Sequence, residues 1–78
     1  MNLVTDIGNT LTKMSLFRGN EYLEMSSFKN DKLDQMYQFI KNKKSEFPEM
    51  KNAILSSVSK ANNELKTFLR THFDKFID

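Results

Sequence analysis

Residues 4–10 read VTDIGNT, and a lysine follows at position 13. Asp6, Gly8, Asn9, Thr10 and Lys13 are residue types that together suit a phosphate. The Asp6 carboxylate can face a hydrated Mg²⁺ held between phosphates, because that ion keeps several of its waters and needs only one or two carboxylates. Gly8 lets the backbone approach an anion with no Cβ in the way. Asn9 and Thr10 bring side-chain donors and backbone N–H groups to the tip of a turn. Lys13 shares a strand face with Leu11 and delivers a point charge to the same phosphates. An acid is costly to bury in an apolar strand without a partner, so Asp6 is expected to be there for a purpose. The rival reading is a plain hairpin corner. Gly19, the only other glycine, is also followed by asparagine, with no comparable chemistry beside it.

The elements that must position these residues follow from the pattern of apolar side chains. Residues 2–7 form an apolar strand carrying Leu3, Val4 and Ile7. Residues 11–18 alternate, with Leu11, Lys13, Ser15 and Phe17 on one face and Thr12, Met14 and Leu16 on the other. Residues 21–29 supply a third strand, in which Leu23 and Met25 are expected to share a face. Gly-Asn at 8–9 and at 19–20 marks a hairpin turn each time, since glycine takes positive φ without strain. After Asn30 or Asp31, either of which can cap a helix, Leu33, Met36, Tyr37 and Ile40 recur at helical spacing. Lys41, Lys43 and Lys44 suit that helix's C-terminal dipole, and Pro48, the only proline, disfavours helical geometry at Phe47. Residues 52–58 read as a strand buried on both faces. Ser59 can cap a second helix lined by Leu65, Phe68, Leu69, His72 or Phe73, and Phe76. The expected order is β-β-β-α-β-α: an α/β fold with a three-stranded antiparallel meander, a parallel strand reached by a right-handed crossover, and two helices. The final FDKFID leaves apolar residues at the end, as if another strand were beginning.

Composition bounds the function. The 78 residues make one small domain, which buries only about 60% of its unfolded surface; a deep cavity enclosed by this chain alone is not expected. No apolar run approaches the roughly 20 residues of a membrane helix, and the short MNLV start does not read as a signal peptide. Cysteine is absent, so disulfides and thiolate metal sites are excluded and a cytoplasmic setting is expected. A net charge of +2 argues for nucleic acid only if the cations cluster.

DIGNT with Lys13, after an apolar strand, resembles the first phosphate motif of the type III pantothenate kinases, of the actin, Hsp70 and sugar-kinase superfamily. AILSSVS, residues 53–59, resembles a strand of the same family. The resemblance spans the chain in element order, with DIGNT and Lys13 its specific part. It implies a ribonuclease-H-like fold, here partial, so that residues 1–78 are expected to be a single N-terminal nucleotide-binding domain, truncated relative to its family. It also implies ATP- and Mg²⁺-dependent phosphorylation of pantothenate towards coenzyme A by a dimeric, two-domain enzyme, usually with a monovalent cation. Carried over, Asp6 orients Mg²⁺, Gly8, Asn9 and Thr10 hold phosphates, and Lys13 neutralises developing charge. The family's Gly-x-Asp-Arg motif, which bears the catalytic base and binds pantothenate, does not occur here, nor does its second phosphate loop, Asp-x-Gly-Thr. Residue 5 is Thr where the family usually has an aliphatic, and Lys60 stands where proline is common. No catalytic residue is therefore assigned, and turnover by this chain alone is not expected.

The remaining candidates read as structural. His72 forms no metal pattern with an acid or a second histidine. Asp31 and Asp34 suit a helix start. Ser56 and Ser57 end a buried strand, or, by the family likeness, line a cleft at its carboxyl end. Phe68, Phe73 and Phe76 read as core, although a truncated domain would leave some uncovered and favour association. The alternative function is a small regulatory protein or transcriptional regulator that binds nucleic acid through Lys41, Lys43, Lys44 and Lys51, a label that members of the resembled family also carry. No helix-turn-helix pattern supports it.

Overall fold

In the computed structural model, which describes residues 1–57 and 63–78, the meander, the crossover and both helices form as expected. Strands β1 (Asn2–Ile7), β2 (Leu11–Arg18) and β3 (Glu21–Lys29) lead into helix α1 (Leu33–Glu46), then β4 (Asn52–Ser57), helix α2 (Asn63–His72) and β5 (Lys75–Ile77). The sheet order is β3-β2-β1-β4-β5. The first pairings, β3 with β2 and β2 with β1, are antiparallel; β4 runs parallel to β1, and β5 parallel to β4. The apolar hint in the last residues is thus a fifth strand. The Ser59 cap and Lys60 lie outside the described residues.

Alternation decides which side of the sheet is covered. Leu3, Thr5 and Ile7 of β1, Thr12, Met14 and Leu16 of β2, and Ala53 and Leu55 of β4 are buried. The apolar members of this set form one cluster with Met36 and Ile40 of α1, Leu65 and Leu69 of α2, Met50 and Phe73. Both helices therefore pack on the same face, as two right-handed crossovers that step in the same direction across the sheet, β3 to β4 and β4 to β5, require. Between the helices Tyr37 stacks on Phe68, with ring centroids 4.2 Å apart, and Phe68 stacks on His72 at 4.0 Å. Burial pushes the Tyr37 phenol up from its ordinary pKa, and the charges of Glu64 and Asp34 add to this.

Four expectations are corrected here. The fourth strand is not buried on both faces: Ala53 and Leu55 are buried but Ile54 is only half-buried, because α1 and α2 both pack on the first face. Asp6 is not a buried acid; it lies exposed on that open face between buried Thr5 and Ile7. Leu23 and Met25 do not share a face. A bulge shifts the register so that Leu16 meets Glu24 while Phe17 meets Tyr22, which leaves Leu23 against the core and Met25 46% exposed. Helix α2 ends at His72, and Phe76 belongs to β5. Asp74 and Lys75 both donate backbone N–H to the Lys51 carbonyl, at 2.9 and 3.2 Å, which turns the chain alongside β4.

The helix start also differs from expectation. Lys32, not Asn30 or Asp31, occupies the N-cap of α1, and no side chain caps it. The Asn30 side chain is engaged elsewhere, by the β1–β2 turn.

Thr5 is the one buried side chain among the described residues whose polar atom has no partner: its Oγ1 is sealed in the core, with the residue 0% exposed. A buried hydroxyl without a hydrogen bond costs about 1–3 kcal/mol. Thr5→Val keeps the shape and removes the orphan, so it should stabilise the chain by about 1 kcal/mol. The check is the midpoint of urea unfolding, which should rise with the slope unchanged.

Candidate functional site

The open face carries the chemistry. Asp6 pairs in register with Lys13 of β2 on one side and with Ser56 of β4 on the other, and Lys13 pairs with Ser27 of β3. Register partners point to the same face, with Cβ atoms of directly opposed residues about 5 Å apart. Ser27, Lys13, Asp6 and Ser56 thus form one polar row across four strands, and all four are exposed. The next row, one strand period away, is Met25, Ser15, Val4, Ile54 and Ile77. The polar row therefore sits at the carboxyl end of the parallel strands, beside the β1–β2 turn, with an apolar stripe behind it. Among the described residues neither Asp6 nor Lys13 has an ion-pair partner, so both charges are available to a ligand.

The two Gly-Asn turns prove to be different structures. Arg18 pairs with Glu21, so Gly19-Asn20 is a two-residue hairpin loop, and Gly19 takes φ 61° with open space around it. Asn20 does not take positive φ, and positive φ at the first central position alone is the mark of a type II′ turn. Gly8 does not have positive φ; a Cβ there would lie 3.2 Å from the Leu11 carbonyl oxygen. The sequence expectation of a positive-φ Gly8 is thus corrected: its turn needs a small residue for close approach of the chain to itself.

The same turn distributes its polar groups unevenly. Gly8 donates its N–H to the Leu11 carbonyl at 2.8 Å. The Gly8 carbonyl accepts from Asn30 Nδ2 at 2.9 Å, and the Thr10 carbonyl accepts from the Asn30 N–H at 3.1 Å. Gly8 N–H is consequently not a donor for a ligand. The N–H groups of Asn9 and Thr10 have no backbone partner among the described residues, and both side chains are exposed. Together with Lys13 they are the donor set that remains, and it suits an anion.

Sequence reasoning brought Asp6, Gly8, Asn9, Thr10 and Lys13 to one place, and the structure brings them together. It missed Ser27 and Asn30. Counting back from the tight turn at Gly19-Asn20 puts Ser26 across from Lys13; the bulge moves Ser27 there instead. Asn30 read as a helix cap, and nothing in its neighbours signals that it reaches back to residues 8, 10 and 12. Among the described residues there is no cluster of three or more metal-ligating side chains. A lone carboxylate beside an anion site fits Mg²⁺, which arrives with its waters and phosphate oxygens as most of its ligands.

Comparison with known proteins gives a consistent result. A model of the family described as type III pantothenate kinase matches residues 2–77. A type III pantothenate kinase from Christiangramia forsetii is 35% identical over 74 residues, covering 94% of this chain and 29% of that protein's own length. A solved structure described as a sugar kinase from Cytophaga hutchinsonii superposes on 100% of this chain and 35% of that one, with a TM-score of 0.69 and 19% identity. That likeness is one of fold.

The lysine cluster is less free than its sequence spacing suggests. Lys43 bonds Glu24 of β3 at 2.9 Å and Glu46 at 3.1 Å, and these hydrogen bonds hold its ammonium above the usual lysine pKa. Lys44 donates to the Met50 carbonyl at 3.2 Å and lies 4.2 Å from the Phe73 ring centroid. Lys41 and Lys51 are the exposed pair that remains. Counterion release then predicts that any binding of duplex DNA by this patch has a log K against log salt slope no steeper than about −2. Fluorescence anisotropy with a labelled duplex between low and physiological salt measures that slope.

Proposed function

The chain belongs to the type III pantothenate kinase family, and from that premise we propose that these 78 residues are the ATP-phosphate-binding, N-terminal part of a pantothenate kinase site. The observation that carries the reading is the polar row: Asp6 and Lys13 face each other across β1 and β2, beside a turn that keeps the Asn9 and Thr10 N–H groups free. The matching share of the Christiangramia forsetii kinase, 29% of its length, suits a part of such an enzyme.

In this reading Lys13 and the Asn9 and Thr10 N–H groups bind phosphate oxygens and neutralise charge as it develops on them. Lysine serves as a compact point charge here, because its flexible stem follows a moving phosphate. Asp6 orients the waters of the metal, and Ser56 and Ser27 flank the two charges as hydroxyl partners. Mg²⁺, when bound, supplies charge neutralisation between phosphates. The acceptor hydroxyl of pantothenate needs a general base, and neither a Gly-x-Asp-Arg nor an Asp-x-Gly-Thr motif is present in these residues. We therefore assign this chain nucleotide binding, and phosphoryl transfer only to an enzyme in which further residues supply that base. The two-lysine patch at Lys41 and Lys51 favours no second reading.

The reading is tested by titrating the ¹⁵N-labelled chain with Mg-ATP. Amide shifts should concentrate at residues 6–13 and include Ser27 and Ser56. Lys13→Met should weaken binding about tenfold, the value of one charge-assisted contact, and Asp6→Asn should abolish the difference between ATP with and without Mg²⁺. Shifts centred on the helices, or none at millimolar Mg-ATP, would contradict it.

A further inference from the structure

Asn30 stands outside every motif in the sequence, yet it makes three hydrogen bonds with the β1–β2 hairpin. Its N–H donates to the Thr10 carbonyl at 3.1 Å, its Nδ2 to the Gly8 carbonyl at 2.9 Å, and its Oδ1 accepts from Thr12 Oγ1 at 2.8 Å. Thr12 is 1% exposed, so the last of these bonds is buried at its donor end. The Gly8 carbonyl can only accept, which turns Nδ2 towards it and leaves Oδ1 to accept from the Thr12 hydroxyl.

A peptide unit is planar and trans, so its carbonyl and its N–H point in opposite directions. The Gly8 carbonyl and the Asn9 N–H belong to the same unit. By holding that carbonyl, Asn30 keeps the Asn9 N–H directed away from itself. A flip of this one peptide would replace a donor by a carbonyl, which repels phosphate. The glycine at position 8 makes such a flip easy, since glycine adopts almost any φ and ψ. The turn thus needs an external restraint, and the side chain at position 30 supplies one from the junction of β3 and α1.

We propose that Asn30 is a positioning residue, held by Thr12, which locks the Gly8–Asn9 peptide in its anion-binding orientation. This rests on the phosphate-binding reading of the turn and adds to it the residue that sets the turn's geometry. The requirement is specific: position 30 must donate to one partner and accept from another at short reach. Alanine does neither, and aspartate cannot donate to the Gly8 carbonyl.

The test uses the whole 78-residue chain with Asn30→Ala, Thr12→Val and Thr12→Ser, read by two measurements. Without ligand, the Asn9 amide resonance should move and the Gly8 N–H should exchange with solvent about tenfold faster in Asn30→Ala and Thr12→Val, while Leu3 and Leu16 keep wild-type exchange. Thr12→Ser, which retains the hydroxyl, should restore both values. With Mg-ATP, affinity should fall about tenfold in Asn30→Ala and remain near wild type in Thr12→Ser. Unchanged turn amides in Asn30→Ala would overturn the proposal, and so would altered amides with unchanged affinity. Failure of the wild-type chain to bind Mg-ATP would strike the phosphate-binding reading instead; the ligand-free amides would still decide whether Asn30 and Thr12 set the turn. Should Asn30→Ala fail to fold, the Thr12 pair decides by the same two readouts.

Discussion

Alternation along β1 governs both the stability and the chemistry of this chain. Successive side chains of an extended strand point to opposite faces, and β1 lies at the centre of the sheet, between β2 and β4. Leu3, Thr5 and Ile7 turn towards the two helices, and Val4 and Asp6 turn towards the open face. A slip of one residue would bury the carboxylate and expose the core. The same register that seals Leu3 and Ile7 therefore delivers Asp6 beside Lys13. Core and site are specified together, and neither could move without the other.

The open face carries the polar row and, behind it, a row that is apolar except for Ser15. Its polar end coincides with the carboxyl ends of the parallel strands, the place where α/β sheets ordinarily receive ligands. The turn there is restrained from three directions: by its own Gly8 to Leu11 bond, by the Asn30 side chain and by the Asn30 N–H. These bonds occupy the carbonyls of Gly8, Thr10 and Leu11 but only one N–H of the turn, that of Gly8, and leave the Asn9 and Thr10 N–H groups, an imbalance that favours anions. Among the described residues the Gly19-Asn20 turn has no such restraint, and its glycine is needed for positive φ alone.

Much of this was legible in the sequence, and the exceptions have identifiable causes. The order of strands and helices followed from period changes and from two Gly-Asn corners. Asp6, Gly8, Asn9, Thr10 and Lys13 could be grouped because they lie close along the chain and share a hairpin. Burial on a particular face was not legible, because pattern alone does not say that both helices fall on one side; Asp6 and Ile54 were misjudged for that reason. The bulge at Leu16 and Phe17 leaves no mark in residue types, yet it decides that Ser27 joins the row and Met25 meets solvent. Asn30 was hidden for a third reason: its partners, Gly8 and Thr12, lie 22 and 18 residues away. Side-chain contacts of that span are set by tertiary structure, where a local rule assigned a cap.

The most direct test of the account is where a paramagnetic divalent ion sits. Mn²⁺ substitutes for Mg²⁺ with nucleotide and broadens nearby amide resonances steeply with distance. Added with ADP to the labelled chain, it should erase the signals of Asp6, Gly8–Lys13, Ser27 and Ser56 first, and spare residues 41–46 at the far end of α1. Dependence on nucleotide is part of the expectation, since Asp6 alone is a weak ligand. Broadening that spreads evenly, that centres on Asp31 and Asp34, or that is the same without ADP would contradict a phosphate site on the open face.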